Sequence, residues 1–250
     1  MRLFGLLFCG VLMASIATAQ VSAENIGYGI LFHIGLGGQL PGGDLQERFG
    51  PNMNFGGGLE FITEKSNLIL GVESYYLFGT DVRTNVLSNL QTPDGFIIGN
   101  DRSYADIQLR QRGFYLGILL GKLFTLSATN PRSGLRITGS AGLLQHKIRI
   151  QDDPIRAVPQ LFGDYKKGYD RLTNGLAFNE CIGYQVLSRD RRVNFFIGIE
   201  CTQAFTQSRR DFNFDTRSRD DTKRFDLLTG IRAHWILPFY IGKSASEIYY

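Results

Sequence analysis

Residues 225–239, F-D-L-L-T-G-I-R-A-H-W-I-L-P-F, alternate in character over more positions than a half-buried globular strand needs. Phe225, Leu227, Thr229, Ile231, Ala233, Trp235, Leu237 and Phe239 share one face; Asp226, Gly230, Arg232 and His234 share the other, with Leu228 and Ile236 between them. A period of two predicts a strand. An uncharged face ending in Trp235, Phe239 and Tyr240, set against glycine, acid, base and imidazole, suits a wall between lipid and a polar lumen.

The chain opens with Met1-Arg2, an apolar run over 3–16 and Ala17-Thr18-Ala19, the layout of a signal peptide over residues 1–19. Residues 20–250 are then expected to form a single exported domain with a short tail. Cys9 follows Phe8, where a lipid-attachment site would want a small residue. No later stretch approaches the ~18 apolar residues of a membrane helix. Export without such a helix leaves a soluble secreted protein or a β-barrel.

Repeating the period-two test along the chain predicts eight strands, over 25–38, 52–62, 68–79, 106–123, 134–150, 175–187, 193–205 and 225–239. The connections after the first, third, fifth and seventh are long and polar; those after the second, fourth and sixth are short. In an up-and-down barrel alternate connections lie at opposite ends, so all the long ones share one end. One residue resists the pattern: parity sends Glu180 outward among Leu176, Phe178, Ile182 and Tyr184. A bulge turning it inward and a contact with a protein partner are the two expectations. A hairpin around 188–192 also places Glu180 opposite Cys201 and Cys181 opposite Glu200, so the two thiols are expected to be free and on opposite faces.

Alternation does not say which face is outside, since a soluble lipocalin-type barrel keeps its apolar face within. The other face decides. A water-facing surface should carry many Lys and Glu, whereas this one is largely Gly, Ser, Thr and Asn with isolated charges. The 30 Gly, 19 Phe and 11 Tyr suit a crowded lumen and aromatic girdles.

On these features, the signal peptide, strand rhythm, loop asymmetry and the ending Trp235-Ile236-Leu237-Pro238-Phe239-Tyr240, the sequence resembles the small eight-stranded outer-membrane barrels of Gram-negative bacteria, of the OmpA transmembrane type. The resemblance covers about residues 25–240. It implies an all-β, antiparallel up-and-down transmembrane β-barrel with long extracellular loops and short periplasmic turns, in the outer membrane. The partners it implies are outer-membrane lipid and lipopolysaccharide, the barrel-assembly machinery and a possible protein partner. The tail over 242–250 departs from the family habit of ending on the strand itself, so the assembly signal could lie at Phe239-Tyr240 or at Tyr249-Tyr250.

The inward face collects Glu60, Glu73, Glu200, Arg232 and His33, expected to form an ion-pair network that plugs the lumen, with Arg232 against Glu200. The alternative use of such a network is a gated ion path. His33 and His234 are expected to meet across the closing seam, where Glu60 or Asp226 could complete a metal site, but no ligand spacing supports one and neither metal nor cofactor is expected. His146, with Asp152 and Asp153 beyond it, is the one rim arrangement suggestive of catalysis. In the loops Arg209, Arg210, Phe212 and Phe214 are candidates for binding an acidic glycolipid or a partner. The net charge of +4 is mild, and the mixed charges of an exported chain argue against nucleic acid.

The expected function is therefore non-catalytic, a structural or binding role exercised through the extracellular loops. An accessory subunit of a secretion or assembly complex is the alternative, hinted at by Glu180, and a lipid-modifying barrel enzyme the third.

Overall fold

The structure is a computed structural model and describes residues 27–128, 130–188 and 192–241. The expected signal peptide and tail lie outside the described residues. The elements in order are β1 (Tyr28–Gly43), β2 (Asn52–Ile62), β3 (Leu68–Gly79), a small ribbon of β4 (Ile97–Ile98) and β5 (Tyr104–Ala105), then β6 (Gln108–Thr125), β7 (Gly134–Gln151), β8 (Thr173–Leu187), β9 (Asn194–Ser208) and β10 (Lys223–Ile241). Eight of these strands close into one antiparallel ring in the order β1-β10-β9-β8-β7-β6-β3-β2.

Register fixes the shape. A row of paired residues that leaves β10 at Ala233 passes through Leu36, Phe55, Tyr76, Phe114, Gln145, Asn174 and Gln207, and returns to β10 at Lys223, ten residues away. Such a stagger forces the strands to tilt, and eight strands enclose an interior just wide enough for side chains to fill.

The outer wall carries Phe32, Leu59, Leu70, Leu116, Ile118, Leu120, Ile182, Ile197, Ile199, Ile231 and Trp235, all exposed. A continuous exposed apolar band of this kind is stable against lipid rather than water. The start of β1, the end of β10 and the ends of the strands joined by the short connections lie at one end, and the long connections at the other.

Several strands run further than their sequence pattern. Pro41 lies inside β1, opposite Leu228, and Pro238 inside β10, opposite Leu31. Both are tolerated because each has only one paired neighbour: β1 pairs β2 only as far as Gln39, and β10 pairs β9 only as far as Trp235. The polar stretch over 80–104 is not all solvated loop: Val86, Leu87 and Ile97 are buried and pack with Leu45, Phe49, Ile148, Ile150, Val158 and Leu161 as a lid over the loop end. Gly43 directs the chain into that lid at φ +57, a backbone conformation open to glycine, and a Cβ there would lie 2.3 Å from the Phe225 carbonyl oxygen.

Candidate functional site: the filled lumen and the loop end

The lumen is a column of layers. At the turn end Arg132, on the β6–β7 turn, donates to Asn67 Oδ1 at 2.6 Å and to the Thr63 carbonyl at 2.9 Å, and also reaches the Gly27 carbonyl. Asn67 holds φ 51, a region asparagine tolerates better than most residues. Above this tie lies an apolar layer of Leu31, Ile62, Ile69, Leu119, Leu123, Phe196 and Ile236. The sequence pattern did not single this layer out, because a lumen expected to be small and polar here holds large aliphatics.

Two charge clusters follow. In the lower, Arg136 donates to Glu60 at 2.5 Å and to Gln185 at 2.9 Å, and His33 Nδ1 lies 3.0 Å from the same Glu60 oxygen. In the upper, Arg232 contacts Glu200 closely and Glu73 at 3.5 Å, while its guanidinium stacks 3.9 Å over the Tyr75 ring. Glu200 also accepts from Gln39 and Asn54, each at 2.9 Å, and Glu73 from the Ser140 hydroxyl. Tyr75 joins the clusters, its hydroxyl 3.2 Å from both His33 Nε2 and His234 Nε2. The five lumenal residues named from sequence thus fall into two groups, Glu60 and His33 with Arg136, and Glu73, Glu200 and Arg232, and Tyr75 links them. Parity already pointed Arg136 and Tyr75 inward; nothing local said that they would touch Glu60 or the histidines.

His33 and His234 do meet, as stacked rings with centroids 4.5 Å apart and planes 8° apart. Face-to-face stacking aims their nitrogens sideways, toward Glu60 and Tyr75, rather than at one point between them. The stack explains two glycines: a Cβ on Gly35 would collide with the His234 ring at 2.3 Å, and one on Gly58 would meet His33 Cε1 at 2.8 Å.

Higher still, His146 corrects the rim reading. It points into the lumen, almost fully buried, with Nε2 2.8 Å from Asp226, which also accepts from Thr206 at 2.6 Å. Asp152 instead contacts Lys166, and Asp153 caps a turn. No rim His–carboxylate pair is formed with either. Asp153 accepts from the backbone amides of Asp106, Ile155 and Arg156 at 3.0, 2.8 and 3.1 Å, and these three donors lower its carboxyl to about 2.

A space between these layers, beside Gln39, Asn54, Tyr75, Tyr115 and Arg232, is about 10 Å³. That is no more than one water's worth.

At the loop end Arg210 forms a two-pronged bond to Asp170 at 2.7 and 2.5 Å, and Arg209 donates to Asn174 at 2.5 Å. The Asp170 hydrogen bonds raise the Arg210 pKa against the opposing effect of burial. Phe214 packs edge-on against Tyr169 at 5.4 Å and neighbours Phe212 at 6.1 Å. Arg210 and Phe214 are therefore tied into loop packing, although Phe214, like Arg209 and Phe212, stays exposed. Outside the sequence candidates, Phe96 and Tyr104 stack at 4.5 Å on the β4–β5 ribbon beside exposed Ile98. A backbone bond from Asn100 to the Ala157 carbonyl ties this ribbon to the segment that carries exposed Ile155.

On the outer wall Glu180 faces outward in an unbroken register, between Gly139 and Cys201, and Gln203 donates to it at 3.4 Å. No bulge turns it inward. Cys181 points inward and Cys201 outward, and both thiols are free.

No protein-family model matches the chain, and no curated protein matches it in sequence. Among solved structures it is similar to Ail, the attachment invasion locus protein of Yersinia pestis, solved in complex with the heparin analogue sucrose octasulfate (12% identity, 84% of this chain and 100% of that one, TM-score 0.35). It is also similar to the outer membrane protein OprG (10%, 89% and 100%, TM-score 0.38) and the N-terminal β-barrel domain of OprF (12%, 85% and 99%, TM-score 0.34), both of Pseudomonas aeruginosa. At these identities and scores nothing is carried from them to individual residues; the barrel stands on its own closed ring of strand pairs.

Proposed function

We propose that this protein is a non-catalytic barrel of the Gram-negative outer membrane, inserted with its long loops outside, whose lumen is a structural plug and whose working surface is the loop end. The observation that carries the reading is the filled lumen: the charges that converge there are spent on one another, and the space beside Tyr75 and Arg232 holds about one water. A channel or an enzyme entered through the lumen needs an open path; a binding or envelope-supporting barrel does not. The packed lid and the exposed Phe96, Ile98, Tyr104 and Ile155 suit a surface for a partner. Outer-membrane fractionation with heat-modifiable gel migration tests the location. Planar-bilayer recording tests the plug: steps of conductance in the unaltered protein would overturn it, and an Arg232→Ala variant as silent as its parent counts against gating.

A second reading, an accessory subunit of an outer-membrane assembly or secretion complex, is favoured by one observation. Glu180 sits exposed in the apolar band beside Cys201 and Gln203, where lipid offers it no partner. Extraction in mild detergent distinguishes the two: a stoichiometric partner lost on Glu180→Leu supports the complex.

A further inference from the structure

We propose that the outward face of the β6–β7 ribbon binds the phosphate groups of an outer-leaflet glycolipid. This rests on the outer-membrane reading above and adds a site to it. β6 and β7 outrun their neighbours: β3 stops opposite Gln111 and β8 opposite His146, while β6 and β7 stay paired as far as Gln108 and Gln151. On that projection Arg110 lies directly opposite Arg149, and Arg112 opposite Lys147. All four belong to the outward parity of Phe114, Leu116 and Leu143, and the inward face of the ribbon is filled by Ile148 and Ile150 packed into the lid.

Like charges directly opposite on a ladder destabilise it, so two such pairs stacked on one face call for a compensating anion. Nothing among the described residues supplies one. Among the described residues none of the four is in an ion pair: Arg110 donates to the side-chain oxygens of Gln151 at 2.8 Å and Gln108 at 2.6 Å, and Arg112 to the Gln111 carbonyl at 2.6 Å. The neighbouring Asp106 carboxylate accepts from Gln108 at 3.3 Å. Other cations of the loop end are engaged, Lys166 with Asp152, Arg171 with Asp215, Arg210 with Asp170 and Arg224 with Asp220.

Paired strands lie ~4.8 Å apart and alternate residues ~7 Å apart, so the four cations outline a patch that two or three phosphate oxygens can bridge. Arginine forks suit that geometry. Directly below, exposed Leu116 and Leu143, with Phe114 and Phe78, offer an apolar wall for acyl chains. Phosphate above and hydrocarbon below describe a phosphorylated glycolipid rather than a soluble anion.

The test uses the folded protein in non-ionic detergent with three probes: bisphosphorylated lipid A, the same lipid dephosphorylated, and inorganic pyrophosphate. The phosphorylated lipid should bind, and Arg110→Gln/Arg112→Gln/Lys147→Gln/Arg149→Gln should weaken it roughly 100-fold, the loss of about two charge-assisted contacts. Arg217→Gln/Lys223→Gln, exposed cations of the β9–β10 connection and the start of β10, should leave it within a few-fold. If the fourfold variant does not fold, the pairs Arg110→Gln/Arg149→Gln and Arg112→Gln/Lys147→Gln should each cost roughly 10-fold. Binding undiminished in these variants, or equal for the dephosphorylated lipid, overturns the proposal. Pyrophosphate binding as tightly as the lipid overturns it in favour of a soluble anion. Recovery of the protein outside the outer membrane strikes the location reading instead, a result read independently of binding in detergent.

Discussion

Arg232 offers the sharpest test of what holds the lumen together. Replacing it with methionine keeps much of the volume but leaves Glu73 and Glu200 buried without their cation. Glu200 retains two amide donors, Gln39 and Asn54; Glu73 retains only the Ser140 hydroxyl. Removing one member of a buried pair costs ~3–5 kcal/mol, and with two carboxylates orphaned Arg232→Met should fall at the upper end of that range. Glu200→Gln/Glu73→Gln in the same background removes the orphaned charges and should recover at least ~2 kcal/mol, because the loss is mostly the penalty of unpaired charge rather than of lost attraction. Urea unfolding from lipid bilayers is the assay. Trp235, the single tryptophan, is exposed on the lipid face and reports the transfer from lipid to water directly. A cost below ~1 kcal/mol, or strictly additive effects of the three substitutions, would refute the network as described.

Other expectations follow from the same geometry. Glu180→Leu should stabilise the barrel in pure lipid by about 1–2 kcal/mol, since a carboxylate in the apolar band is unfavourable there; urea midpoints that do not move would show that Glu180 is already solvated or paired. In the folded protein a detergent-soluble maleimide should label Cys201 and spare Cys181, with both labelled after unfolding; mass spectrometry of the peptides decides. Asp153 has a folded carboxyl lowered to about 2 against an unfolded value of ~3.9, so its stabilisation of the loop is complete above the unfolded value and is lost as pH falls through about 2. The amide signals of Ile155 and Arg156 should titrate with that low midpoint, and a midpoint near 4 would contradict the three-amide cap.

The sequence made the strands legible because parity is local: the bounds of β2 and β3, the outward Glu180 and the opposed faces of Cys181 and Cys201 all follow from a period of two. The end of β1 did not, because Pro41 breaks a strand that has two neighbours and is tolerated in one that has a single neighbour, and the number of neighbours is set by the stagger of the whole ring. The site was read in the same proportion. Inward residues could be named, but not all of their partners: His146 finds Asp226, eighty positions away, rather than the nearby Asp152, and Glu60 finds Arg136. The aliphatic layer of Leu31, Ile69 and Leu119 was missed because an inward leucine looks, in sequence, like noise in a polar face.

The seam between β1 and β10 joins the two ends of the barrel through sixteen residue pairs, from Tyr28–Ile241 to Gly43–Asp226. Its closure entropy grows only slowly with the intervening length, but the partner of the first strand is the last to be synthesised, so a half-made chain has no smaller barrel to adopt. A version lacking β10 would bare β1 along sixteen residues and β9 along thirteen, two long unpaired edges that hydrocarbon cannot satisfy and that water leaves open to pairing with other chains. The fold is therefore all or nothing in space as well as in energy: a chain shortened by its last strand is expected to aggregate rather than close a narrower barrel, and the edges of β1 and β9 must stay unpaired until that strand arrives.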